Sequence, residues 1–111
     1  MGNRLHVAKT YIVEYSDYEE FNWQQEGFRN LIDALEIESC GESWYGEIWD
    51  FEIAKEDWEK GMERLRIDEG NRGINQALQS LGKTRGEMLE IMEIYLKESD
   101  PDFNYLEFSF F

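Results

Sequence analysis

Hydrophobic and polar positions along this chain divide it into stretches of two kinds, some repeating every two residues and some every three or four. From Leu5 to Tyr15, Leu5, Val7, Tyr11, Val13 and Tyr15 alternate with His6, Thr10 and Glu14, the mark of a long half-buried strand, broken on its apolar side by Lys9. Asp17 then stands where an N-cap would, Glu19 and Glu20 follow in a first turn, and Phe21, Phe28, Leu31, Ile32 and Leu35 recur at helical spacing. A helix is predicted over residues 18–36.

Residues 38–46 contain Gly41, Ser43 and Gly46 and read as a turn or a short extra strand. Trp49, Phe51 and Ile53 alternate with Asp50 and Glu52, so the next strand has one strongly apolar side and one acidic, wet side. Trp58, Met62 and Leu65 fall on one helical stripe, with Lys55 and Glu59, and Glu56 and Lys60, four apart on the outer surface. These predict a helix over 55–66. Gly70 and Gly73 interrupt it, Ile74, Ala77, Leu78 and Leu81 predict a short helix, and Gly82 is its stop.

Thr84 and Glu87 have the spacing of a capping box ahead of Met88, Leu89, Ile91, Met92, Tyr95 and Leu96, a well-buried last helix. Asp100 and Pro101 end that helix, and Leu106, Phe108 and Phe110 alternate with Tyr105, Glu107 and Ser109 in a final strand. The expectation is a single α+β domain over 1–111. Its small, mainly antiparallel sheet has three or four strands with helices on one face, in the order β-α-β(-β)-α-α-α-β. A ferredoxin-like βαββαβ core with a helical insertion before the last strand is one concrete version. No repeat or Pro/Gly/Ser-rich linker divides the chain.

Charge changes the picture of partners more than that of fold. Eleven Lys and Arg against 25 Asp and Glu give a formal charge of -14 over 111 residues, which repels phosphate backbones and anionic lipid and attracts basic proteins. Direct nucleic-acid binding is therefore not expected. No apolar run approaches a membrane span, and residues Met1 to Arg4 do not open a signal peptide. His6 also stands where an N-terminal lipidation pattern needs Ser or Thr. One cysteine, Cys40, fits a reducing compartment, so a cytoplasmic location is expected. At 41% hydrophobic and 15% aromatic residues, the chain has ample material for a core.

Signatures of catalysis are thin. Ala77 to Thr84 satisfies a loosened phosphate-loop pattern, but Ile74 to Leu81 has helical spacing where that loop needs glycines after a buried strand. A glycine C-cap followed by a threonine N-cap explains Gly82, Lys83 and Thr84 better. Asp100 to Asn104 opens like a calcium loop, yet the sixth position would be Tyr105 and the twelfth Phe111, so a helix stop and turn is the better reading. His6 is a lone histidine and Cys40 a lone thiol, the latter among carboxylates that would raise its pKa. Glu47, Asp50, Glu52 and Glu56 could supply a carboxylate pair for a hydrolase, but among 25 acids close pairs arise by chance. No catalytic residue, metal site or cofactor is assigned.

Two features point to binding instead. Asp50 and Glu52 project from the wet side of their strand, and Glu14, Glu107, Glu47, Glu42 and Glu38 could join them in an anionic plate that meets a basic protein. Trp23, Trp44 and Tyr45 lie off the apolar lines and are candidates for exposed anchor residues. The expectation is a small acidic protein-interaction module whose partner-binding residues include Glu47, Asp50, Glu52, Trp23, Trp44 and Tyr45, acting as an inhibitor, an immunity protein or an accessory factor. The alternatives are a self-associating structural protein, such as a homodimer paired through an edge strand, and a carboxylate-based hydrolase.

Overall fold

The computed structural model describes residues 2–10 and 14–111. Among them run β1 (Leu5–Thr10), β2 (Glu14–Tyr15), α1 (Gln25–Ala34), β3 (Cys40–Tyr45), β4 (Ile48–Ala54), α2 (Lys55–Ile67), α3 (Arg72–Leu81), α4 (Arg85–Glu98) and β5 (Tyr105–Phe110). The protein is α+β, with a five-stranded sheet of order β2-β1-β5-β4-β3 in which each neighbouring pair is antiparallel. The chain order β1, α1, β3, β4, helices, β5 follows the expected sequence of elements. In the sheet, however, β5 and β4 separate β1 from β3, and the alternation of directions makes β1 and β3 antiparallel. A split β-α-β unit of the ferredoxin-like kind would have them parallel.

The period of two at the N-terminus belongs to two strands. β2 runs back along β1 with Ala8 opposite Tyr15 and Thr10 opposite Glu14, and Thr10 Oγ1 accepts a hydrogen bond from the Glu14 amide at 3.1 Å. A single long strand and a pair of short arms can carry the same alternation, so periodicity does not separate them. Tyr11 and Val13, assigned to the expected long strand, lie outside the described residues.

The first helix is also shorter than its sequence pattern. It starts at Gln25 and not at residue 18, and Asp17 does not cap it. Phe21 and Trp23 adopt positive φ of 59° and 57°, which no helix accommodates. Their segment is claimed by the start of β1: Leu5 N–H donates to Glu20 O at 2.9 Å and Trp23 N–H to Asn3 O at 2.7 Å. Phe21 still reaches the core, from a loop. The other helices follow the pattern closely. Gly82, at φ 70°, ends α3 in the left-handed region, and Thr84 and Glu87 form the reciprocal capping box of α4.

All helices that pack on the sheet do so on one face. Leu5, Val7, Trp49, Phe51, Ile53, Leu106, Phe108 and Phe110 point into a core completed by Phe28, Trp58, Met92 and Tyr95. Two of the polar tips buried there find backbone partners: Trp58 Nε1 donates to Met92 O at 3.0 Å and the Tyr95 hydroxyl to Leu5 O at 2.9 Å. No described helix is long and apolar enough to cross a membrane.

Candidate binding surface

The opposite face of the sheet is built by the residues that alternate with the core. Register fixes its rows: Ser43, Asp50, Ser109 and His6 lie side by side on β3, β4, β5 and β1, and Cys40, Glu52 and Glu107 form the row beside them. At the β1 end this face is roofed. Phe111 stacks on the His6 ring at 4.0 Å between centroids, Tyr15 meets Phe111 edge-on, and His6 Nε2 is 2.9 Å from Glu19 Oε2. His6 and Ser109 are buried as a result. The His6 contact, with the Arg4 guanidinium behind it, pulls the Glu19 carboxyl below its ordinary pKa. At the β4 and β3 end the face is uncovered.

There Asp50, Glu52 and Glu107 come together. Asp50 accepts a short hydrogen bond from Ser109 Oγ, and Glu52 stands directly opposite Glu107. Partial burial, with Glu52 and then Asp50 as like-charged neighbours, raises the Glu107 carboxyl above its ordinary pKa. Its Oε2 is buried without a hydrogen-bond partner. None of the three makes an ion pair with a described residue, while Glu19, Glu20, Glu36 and Glu42 each have a cationic partner. Desolvation, and then Glu107 and Asp50, raise the pKa of the neighbouring Tyr15 phenol, and desolvation, then Glu52 and Asp57, raise that of the Cys40 thiol.

The other acids named from the sequence lie elsewhere. Glu42 is tied to Arg29 at 3.1 Å and to Ser39 Oγ at 2.6 Å, the hydroxyl and then the guanidinium lowering its pKa. A bulge at Gly41, with φ of 60°, offsets β3 between Cys40 and Ser43, so the simple alternation that grouped these acids does not hold there. Glu47 sits in the two-residue turn between β3 and β4, and its carbonyl accepts from Asn3 Nδ2 at 2.7 Å. Glu14 pairs loosely with Lys9 at 3.9 Å, and Glu38 is exposed in the α1–β3 loop.

The aromatic candidates separate too. Trp44 lies on the helix side of β3, half exposed, stacked on Trp49 at 5.1 Å. Tyr45, 78% exposed, alternates to the open side with Ile48 opposite. Trp23 is remote from both, beside Gly27 and Leu81 at the α1–α3 seam. Sequence reasoning did not single out Tyr105 and Phe111, which with Tyr15, Tyr45 and Ile48 make the exposed apolar rim of the carboxylate face. Their shared face follows from cross-strand register, and a single strand's pattern does not contain it.

Other surfaces offer less chemistry. A depression of about 790 Å³ is an open groove along α2 lined by Lys55, Glu56, Glu59, Lys60 and Glu63, where Lys60 pairs with Glu56 at 3.2 Å. Lys83, the phosphate-loop candidate, is held by Glu20 at 3.1 Å, and Thr84 is used as a cap. Asp100 Oδ1 accepts from the Asp102 amide in the turn after α4. Among the described residues no group of three or more His, Cys, Asp or Glu is arranged to hold a metal ion.

No family model matches the chain, and no solved structure matches it significantly. Among curated proteins, the transcriptional regulatory protein XylR of Pseudomonas putida is 36% identical to it over 76 residues. That alignment covers 68% of this chain and 13% of the regulator, so the chain corresponds to a small part of that protein.

Proposed function

We propose that this protein is a binding module without catalytic activity, which presents the uncovered end of its sheet to a basic protein surface. The observation that carries the reading is the group Asp50, Glu52 and Glu107, drawn together by register with no ion pair to a cation among the described residues. Like charges held on a half-dry surface cost free energy in the isolated molecule, and a partner's lysine or arginine would relieve that cost. The rim of Tyr15, Tyr45, Ile48, Tyr105 and Phe111 supplies the apolar area that a purely ionic contact lacks.

The similarity to part of a transcriptional regulator supports a role beside transcriptional control, as an inhibitor or accessory acting on a protein. With a charge of -14, DNA itself is a poor ligand. A cytoplasmic location accords with that setting.

The test is affinity capture with the wild-type chain and an Asp50→Lys/Glu52→Lys variant. Basic proteins should be retained by the wild type at low salt, released at about 0.5 M salt where screening lengths shrink to a few ångströms, and not retained by the variant. Equal capture by both chains, with the variant still folded, would refute the reading.

A further inference from the structure

The outer edge of β3 is the one long strand edge left without a neighbour among the described residues. Its six residues are all exposed and no other segment hydrogen-bonds along it, while the opposite edge of the sheet is the two-residue β2. Edge strands are commonly guarded by Lys or Pro, and Cys40–Tyr45 contains neither. The bulge at Gly41 leaves Ser43–Tyr45 as a regular ladder against Asp50, Trp49 and Ile48.

Hairpin geometry decides which backbone groups are free. A two-residue turn makes Tyr45 and Ile48 the closing hydrogen-bonded pair, so by antiparallel alternation Ser43 and Asp50 are also bonded and Trp44 and Trp49 are not. The N–H and C=O of Trp44 therefore point away from β4, toward the vacant edge.

Charge selects the occupant. The residues of β3 opposite Asp50 and Glu52 are Ser43 and Cys40, both small. A strand added to β3 would lie two strand spacings, about 10 Å, from β4. A lysine on its open-face side can reach over Ser43 or Cys40 to the carboxylates, its stem lying along the sheet. A second copy of the chain would instead bring another -14 to the same edge.

We propose that β3 binds an extended, lysine-bearing segment of a protein partner by strand addition, with alternate lysines over Asp50 and Glu52. This rests on the basic-partner reading above and specifies how the partner docks.

The probe is a capped heptapeptide alternating valine and lysine, titrated at low salt against the wild type, Trp44→Ala and Trp44→Pro, with folding checked by near-ultraviolet circular dichroism. Both variants lose the indole, and only the proline loses the outward N–H, at an edge position where proline is tolerated. Trp44→Pro should bind the peptide roughly tenfold more weakly than Trp44→Ala, and the peptide should slow exchange of the Trp44 amide in the wild type by at least a comparable factor. Equal binding by the two variants, or unchanged exchange of that amide, overturns strand addition. The basic-face reading is judged separately, by the Asp50→Lys/Glu52→Lys variant. Concentration-dependent protection of Trp44 without peptide would mean that a second copy occupies the edge, and would likewise overturn the proposal.

Discussion

The two faces of this sheet are made by the same strands and governed by opposite physics. On the helix side Trp49, Phe51, Phe108 and Phe110 stack and tilt against one another and against Phe28, each all but excluded from solvent. One residue along, Asp50, Glu52 and Glu107 sit together in partial contact with water, and among the described residues the one hydrogen bond to their carboxylates is from the Ser109 hydroxyl to Asp50. The covered face minimises apolar exposure and the open face tolerates like-charge crowding. A surface that keeps such crowding spends stability on something other than folding, which is why the open side is the functional candidate.

The contrast breaks most visibly with truncation of an aromatic on each side. Phe108→Ala removes a ring that is fully buried among Phe51, Trp58 and Tyr95, and should cost about 3–5 kcal/mol. Tyr105→Ala, on the same strand at the open rim, should cost less than about 1 kcal/mol. Urea denaturation of the two variants measures both. Comparable losses would mean that the open face is structural.

A second test asks whether the covered side also resists added volume. Gly61 lies in α2 where an added Cβ would stand 2.6 Å from Ile37 Cγ1, and Ile37 is itself buried. Helix propensity alone would favour alanine there by about 1 kcal/mol, but overpacking of this kind costs about 1–3 kcal/mol. Gly61→Ala should therefore lower stability by about 1 kcal/mol net, and Ile37→Val in the same chain should restore part of it. A stabilised Gly61→Ala would show that α2 has room to move outward.

Much of the covered face was legible in the chain because its signals are local. The alternation of β4 and β5, the stripe of α2, the glycine stop of α3 and the capping box of α4 each lie within one segment. The start of α1 was not legible, since Phe21 falls at helical spacing but Glu20 and Trp23 on either side of it pair their backbones with Leu5 and Asn3, far along the chain. The open face was half legible. The wet side of β4 announced Asp50 and Glu52, but Glu107 joins them only through register. The apolar periodicity offered no reason to place Glu42 with Arg29 or to leave Trp23 on another side of the molecule.

The smallest effect probes the carboxylate group alone. Glu107 has a pKa above its ordinary value of 4.5, from partial burial and then from Glu52 and Asp50, so the folded state binds its proton more tightly than the unfolded chain. Any stability from that proton is fully present below the unfolded pKa and lost as pH rises through the folded one. At neutral pH Glu107 thus weighs against folding, and Glu107→Gln should stabilise the protein by about 0.5 kcal/mol, kept small because the group is only partly buried and water screens it. The advantage should close as pH falls through the raised pKa, leaving wild type and variant alike at about pH 4 or a little below. Melting curves of the two proteins across that range supply the measurement. A gap that stays constant with pH would locate the effect in packing and remove the like-charge strain from which the binding role is argued.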